Sequence, residues 1–150
     1  MNKRILIILI TILLTGCNVS KPIPDKSMFK VDFEIPGSIQ AGQEVIAKAY
    51  LTNISKRSWS IFHGVDIFTV GITNNEGKLL KENDTLIVIA LGISSDLKPN
   101  KQYSLEDGTE QFRELKISVP GIYYVTINAK FSIDDKDFLI KSETKKIIVK

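Results

Sequence analysis

Apolar and polar residues alternate along most of the chain after residue 28, and this period of two is that of a strand with one buried face. The first such run, Phe29 to Ile35, ends at the turn-forming pair Pro36-Gly37. Later alternating or β-branched runs predict further strands at Val45–Leu51, Trp59–Phe62, Val65–Ile72, Lys78–Leu80, Thr85–Leu91, Leu115–Val119, Tyr123–Ile133 and Phe138–Val149. No amphipathic helical period persists along the chain, so an all-β protein is expected.

Turn-forming residues separate these runs. The tetrad Asn74-Asn75-Glu76-Gly77 is a hairpin signal, since Asn and Gly tolerate positive φ, and Asp134 to Asp137 are expected to form a second hairpin tip. Residues 92–108 are rich in turn formers and predict no definite pairing. About seven short strands at nearly regular spacing predict an immunoglobulin-like antiparallel β-sandwich over residues 28–150.

The first residues of the chain carry the features of an export signal. Met1 to Arg4 supply a short basic region, and Ile5 to Leu14 form an apolar run of about ten residues. A membrane-spanning helix needs about twenty residues, so this run is too short to cross a bilayer. The run is followed at once by Leu14-Thr15-Gly16-Cys17, which contains the one cysteine of the chain.

This tetrapeptide resembles the bacterial lipobox, in which the cysteine thiol receives a diacylglyceryl group before the leader is cleaved. The resemblance implies a lipoprotein signal peptide over residues 1–16 and a lipidated Cys17. Residues 17–27 have two prolines and no apolar period, so they predict a flexible tether. Two acyl chains give a stable anchor, and the expected location is the extracytoplasmic face of the cell membrane. An uncleaved anchor helix and an ordinary secretory leader are the alternatives, and the sequence leaves open whether the envelope has one membrane or two.

Composition and charge narrow the function classes. The formal net charge of +3 falls close to zero once Lys3 and Arg4 leave with the leader, so no general attraction to nucleic acid is expected. With one cysteine and one histidine, an internal disulfide and the usual multi-histidine metal sites are both excluded. No cofactor is expected.

Two segments resemble known extracytoplasmic modules. Val119-Pro120-Gly121-Ile122-Tyr123-Tyr124-Val125 looks like the Pro-Gly-x-Tyr-x-Val corner of bacterial immunoglobulin-like domains, and Val45 to Ser55 is similar to their second strand. Together with the run from Val65 to the turn Asn75-Glu76-Gly77-Lys78, these two segments resemble CARDB-like domains and BsuPI-type proteinase-inhibitor-like domains. The resemblance implies a tyrosine at the start of the penultimate strand, an asparagine that closes onto a neighbouring loop, and proteinase inhibition as a special case of binding.

Few residues are candidates for catalysis or metal binding. An enzyme would depend wholly on His63, because Cys17 is expected to carry lipid and no nucleophile-elbow sequence is present. The carboxylate pair Glu106-Asp107 lies in a turn sequence. For Asp134, Asp135 and Asp137, a solvated hairpin tip and a weak calcium site are the two interpretations, since hard cations take clustered carboxylate oxygens.

Binding to a partner is the simplest hypothesis, because it requires no catalytic or metal-binding set of residues. Trp59, Phe62 and His63 lie between two predicted strands, where sandwich loops present contacts, and aromatic residues commonly anchor interfaces. A core position for Trp59 is the alternative. The sequence therefore predicts a non-catalytic protein-binding module held to the membrane through lipid on Cys17. An accessory subunit of an envelope complex and a hydrolase depending on His63 are the competing hypotheses.

Overall fold

A computed structural model describes residues 22–64, 66–82, 92–103 and 111–150, without side-chain detail for residues 81–82 and 111–113. The predicted signal peptide, the lipobox, residues 17–21 of the tether, Glu106-Asp107 and the strand expected at Thr85–Leu91 lie outside these ranges. Within them, no helix is both long and apolar enough to cross a membrane.

Nearly all the secondary structure of the described residues is β-strand. A single-turn 3₁₀ helix, Lys26–Met28, precedes the first strand. The strands are β1 (Phe29–Glu34), β2 (Ser38–Ile39), β3 (Glu44–Asn53), β4 (Trp59–His63), β5 (Phe68–Asn74), β6 (Leu79–Glu82), β7 (Ile93–Leu97), β8 (Gln111–Lys116), β9 (Gly121–Ile133), β10 (Lys136–Lys141) and β11 (Lys145–Val149).

The smaller sheet has the order β1-β3-β8 and is antiparallel throughout. Its registers place Val31 opposite Leu51 and Val45 opposite Leu115, and all four side chains are buried. Because side chains alternate across a strand, the period-two pattern in the sequence decides which face of this sheet enters the core.

The larger sheet is built around β9, the longest strand. One edge of β9 pairs first with β11 and then with β10, and the other edge pairs with β5 and, at one position, with β4. The remaining strands of this sheet are β6, which pairs with β5, β7, which pairs with β4, and the short β2, which is parallel to β11. The predicted closing strand is thus divided at Ser142, whose hydroxyl replaces a backbone partner by accepting a hydrogen bond from the Ile127 N–H at 3.0 Å.

The two sheets enclose one apolar core. The Phe29 ring of β1 meets Phe131 and Phe138 of the larger sheet edge-on, with ring centroids 5.1 and 5.8 Å apart. At the corner between β8 and β9, the Tyr123 hydroxyl donates a 2.8 Å hydrogen bond to the Val119 carbonyl. This tyrosine corner is a hallmark of immunoglobulin-like sandwiches, and the predicted all-β sandwich class is confirmed.

Some local predictions differ from the structure. Residues 92–108 were expected to be turn-rich, yet Ile93–Leu97 form β7 and pair with the whole of β4. Val119 was grouped with the buried Leu115 and Ile117, but β8 ends at Lys116 and the Val119 side chain is exposed. The Asn74–Gly77 hairpin is confirmed, with Gly77 at φ +77° and its N–H bonded to the Asn74 carbonyl at 3.0 Å.

Candidate functional site

Alternation along β4 separates the three residues that the sequence grouped as binding contacts. Trp59 and His63 point into the sandwich and are 6% and 4% exposed, whereas Phe62 points outward and is 54% exposed. This follows from the strand itself, since residues at odd and even positions face opposite sides. Trp59, Phe62 and His63 therefore do not form one surface, and Phe62 alone remains accessible to a partner.

Trp59 occupies the core position that was the alternative interpretation. Its indole Nε1 donates a 3.0 Å hydrogen bond to the Ser55 hydroxyl in the loop before β4. Because an indole N–H usually finds a partner when it is buried, this bond allows the ring to remain inside. Trp59 thus fixes the loop between β3 and β4 to the core.

His63 is enclosed at the end of β4. Its ring meets Tyr103 edge-on at 5.0 Å, and its Nδ1 donates to the Gly64 carbonyl at 2.5 Å. The Nε2 atom is buried and has no hydrogen-bond partner within the part of the chain that the structure describes. Burial lowers the pKa of His63 below 6.5, so the ring is neutral at neutral pH.

Phe62 is the centre of the exposed surface on the larger sheet. Its ring lies directly over Gly92, where even a Cβ atom would overlap the ring. The cross-strand neighbours of Phe62 are Ser94 on β7 and Ser132 on β9, and the Ser132 hydroxyl donates to the Phe62 carbonyl at 3.3 Å. We call these four residues the Phe62 face.

The Phe62 face has the chemistry of a contact surface. It offers one aromatic ring surrounded by two serine hydroxyls, with Asp137 opposite Ser132 and the exposed Leu139 opposite Lys130 further along the sheet. An apolar anchor with a polar rim is the common anatomy of protein interfaces. Gly92 has no side chain that would displace the ring, so the ring can lie on the backbone there.

The acidic hairpin has a structural role in the turn. Asp134 and Asp135 have φ of 48° and 62°, the left-handed conformation that Asp tolerates better than most residues. Across the described ranges, no three His, Cys, Asp or Glu side chains are grouped to hold a metal ion. The side chains of Asp134, Asp135 and Asp137 are all exposed at the tip of this hairpin, and the weak calcium site stays a prediction.

A concave surface lies on the smaller sheet, at residues that the sequence did not mark as a site. It is an open groove of about 440 Å³, lined by Asp32, Phe33, Glu34, Tyr50 and Gln102. Lys30 pairs with Asp32 at 2.8 Å, and both side chains are more than half exposed. The signal in the sequence was the alternation of charged residues along β1, which is equally typical of a solvated sheet face.

No protein-family model and no curated protein matches the chain. Among solved structures, the CARDB domain of a Pyrococcus furiosus protein, crystallised in complex with di-metal ions, is 14% identical and covers 89% of this chain and 94% of that chain at a TM-score of 0.48. The sporulation control protein Spo0M from Bacillus subtilis is 12% identical and covers 82% of this chain and 49% of that chain at 0.44. A β-glucosidase from Listeria innocua is 11% identical and covers 81% of this chain but 16% of its own, at 0.42.

CARDB is one of the two families that the Pro120-Gly121 corner, Val45–Ser55 and the run from Val65 together resemble in sequence. All three TM-scores are below 0.5 and all three identities are below 25%, so the likeness says nothing about ligands or activity. The fold assignment stands on the strand order, the registers and the tyrosine corner.

Proposed function

We propose that this chain is a lipid-anchored extracytoplasmic module that binds a protein partner and catalyses no reaction. The observation that carries the proposal is the Phe62 ring, which is half exposed on a regular sheet and lies over Gly92. A phenylalanine side chain has only two rotatable χ angles, so it loses little conformational entropy when a partner covers it. Such aromatic anchors supply much of the binding energy at protein interfaces.

The shape of the surface favours a macromolecule over a small molecule. Phe62, Ser94 and Ser132 lie side by side across three neighbouring strands of the larger sheet, on its outer face. Small ligands need concave sites that bury most of their surface, whereas a protein can cover a flat patch.

The anchoring part of the proposal comes from Leu14-Thr15-Gly16-Cys17 and the short apolar run before it. Lipid on Cys17 would keep the domain at the extracytoplasmic face of the cell membrane, where a partner would also be found. If the partner is a fixed one, the protein is instead an accessory subunit of an envelope complex, which is the competing hypothesis.

Two alternatives are less well supported by the contacts around β4. A hydrolase depending on His63 would need an accessible imidazole, but this ring is enclosed against Tyr103. A proteinase inhibitor usually presents a free loop to the protease cleft, whereas Trp59 to His63 form a strand paired along its length with β7. We therefore propose binding through the face of the sheet.

The binding proposal is tested by photo-crosslinking in intact cells. p-Benzoylphenylalanine in place of Phe62 should give a discrete crosslinked protein, and the same group in place of Thr73, on the outer face of β5, should not. The recovered partner should bind purified wild-type chain, and Phe62→Ser should weaken that binding about tenfold or more. Equal crosslinking from both positions, or binding unchanged by Phe62→Ser, contradicts the proposal.

The anchor is tested by mass spectrometry of the protein purified from its own membranes. The expected N-terminal residue is Cys17 with diacylglyceryl on its sulfur. An intact Met1 or an unmodified thiol would disprove lipidation and leave the binding proposal to be judged by crosslinking.

A further inference from the structure

Three segments meet at the end of the sandwich from which the tether leaves. Met28 of the 3₁₀ helix accepts a 2.9 Å hydrogen bond from Ile54 N–H in the β3–β4 loop. Asn53 links that loop to the turn after β7, because its carbonyl accepts from Asn100 N–H at 2.7 Å and its N–H donates to the Lys101 carbonyl at 3.2 Å. We call the surface formed by residues 26–28, 54–58 and 98–101 the tether pole.

The tether pole is basic and carries an exposed apolar side chain. Its charged side chains are all cations and all exposed, and its Ile54 is 50% exposed. The cations are Lys26, Lys56, Arg57, Lys98 and Lys101. Acidic residues lie beside the pole, namely Asp25 before the helix and Asp134 and Asp135 at the hairpin tip, and hydrogen bonds from Ser27 lower the pKa of Asp25. The five cations of the pole still outnumber these three acidic residues.

The position of the tether keeps this pole close to the membrane. Pro22 is five positions after Cys17, and five fully extended residues reach at most about 18 Å. If Cys17 is lipidated, the tether pole, which begins four residues after Pro22, therefore stays near the bilayer surface and is the end of the sandwich best placed to reach it.

We propose that the tether pole docks on the anionic headgroups of the bilayer that holds Cys17, with Ile54 entering the interface. The inference rests on the proposed lipid anchor. Basic residues near a bilayer are attracted to anionic lipid, and one apolar side chain adds to that attraction. Docking would orient the domain and present the Phe62 face sideways along the membrane, instead of leaving the domain to rotate freely on its tether.

The side chains of the pole can be altered without disturbing its hydrogen bonds. Arg57, Lys98 and Lys101 use their backbone carbonyls in the contacts with Asn53 and with the turn, so their side chains take no part in them. Trp59, the one tryptophan of the chain, is bonded to Ser55 within this loop, and its fluorescence therefore reports on the pole.

The test uses the full lipoprotein, with acylation of Cys17 first verified by mass spectrometry, in vesicles that contain a headgroup nitroxide quencher. Quenching of Trp59 should be stronger in phosphatidylcholine vesicles with added phosphatidylglycerol than in phosphatidylcholine alone. It should decrease as NaCl rises from about 0.05 to about 0.5 M. The quadruple variant K56Q/R57Q/K98Q/K101Q should lose the extra quenching, each removed charge weakening the docking equilibrium about fivefold.

The matched control removes four lysines from the other end of the sandwich. K78Q/K116Q/K146Q/K150Q makes the same charge change at exposed positions near Asn74, Glu44, Tyr124 and Ile39 and should quench like the wild type. Quenching that is equal in both vesicle types, or equally reduced in both variants, overturns the docking inference. Because acylation is established beforehand, that result leaves the anchor proposal intact.

Discussion

Asn53 joins three parts of the chain with one side chain. It is fully buried at the end of β3, and its Nδ2 donates to the carbonyls of Leu97 at 2.8 Å and Arg57 at 2.6 Å. Its Oδ1 accepts from the backbone N–H and the hydroxyl of Ser55 at 2.9 and 2.7 Å. The side chain thus uses both its donors and its acceptor, which is why a polar group can be buried here.

Replacing Asn53 should therefore be costly. Asn53→Ala leaves the Leu97 and Arg57 carbonyls without these donors, and we expect the free energy of unfolding in urea to fall by about 2–4 kcal/mol. The matched control is Asn74→Ala, because Asn74 also accepts backbone N–H bonds, at 3.0 and 2.8 Å, but in an exposed hairpin where water replaces them. If both variants lose the same free energy of unfolding, the buried hydrogen bonds of Asn53 stabilise the protein no more than the exposed ones of Asn74.

His63 should make stability depend on pH. Burial holds the pKa of the folded imidazole below the value of 6.5 expected in the unfolded chain, so the unfolded chain takes up a proton first as the solution is acidified. The free energy of unfolding should be unaffected by this group above 6.5 and should decline as pH falls from 6.5 to the lower folded pKa. His63→Phe keeps a ring against Tyr103 and should flatten this part of the profile. Parallel profiles for the two proteins in urea titrations between about pH 5 and 8 would rule out His63 as the cause.

At the scale of elements, the corner between β8 and β9 depends on one hydroxyl. Tyr123→Phe removes the 2.8 Å hydrogen bond to the Val119 carbonyl while keeping the ring in the core, and we expect a loss of about 0.5–1.5 kcal/mol. Tyr124→Phe is the neighbouring control, since the Tyr124 hydroxyl is exposed and 3.5 Å from Asn75 Oδ1. Its effect should stay below about 0.5 kcal/mol. Chemical denaturation of both variants measures the difference in their stability. Equal losses of stability would argue against a stabilising role for the Tyr123 hydrogen bond at the corner.

The pairing of β4 with β7 positions the Phe62 ring. A Cβ at Gly92 would overlap that ring, but the ring is the free end of an exposed side chain and can move away. Gly92→Ala should therefore cost no more than about 1 kcal/mol of stability, yet reduce partner binding nearly as much as Phe62→Ser. Gly71→Ala is the control, because the nearest atom to its Cβ would be the Thr126 carbonyl oxygen at 3.9 Å. Retained binding in Gly92→Ala would mean that the ring orientation does not matter.

The elements also show where the sequence was informative. Strands with strict alternation, such as Phe29–Glu34 and Gly121–Ile133, were predicted close to their observed bounds because burial of one face imposes the pattern. Ile93–Leu97 was missed because Ile-Ser-Ser-Asp-Leu has few strand-forming side chains, and its strand state comes from pairing with β4. The same pairing brings Gly92 under Phe62, so the candidate site could not be predicted from β4 alone.

For the whole molecule, anchoring and folding should be separable. The buried apolar core of the described residues runs from Phe29 to Val149, well beyond Cys17. Cys17→Ala should therefore abolish acylation and stable retention through lipid, while the domain recovered from cells unfolds at an unchanged temperature. Ser20→Ala, in the tether, should leave the acylated protein in the membrane fraction. Acylation or detergent-dependent extraction that persists in Cys17→Ala would contradict the lipobox interpretation.

The sequence by itself determined the all-β class, the inward faces of its regular strands and the expectation of an export signal, because each of these depends on residues that are close together in the chain. Tertiary structure decided which side chains of β4 are accessible together, which glycine supports Phe62 and how Asn53 closes the tether pole. Asn53 and Leu97 are 44 positions apart and Phe62 meets Gly92 across two strands, so these contacts exist only once the strands are paired. The local pattern of apolar and polar residues determines which face of a strand is buried, whereas the packing of the whole sandwich determines which strands pair with it.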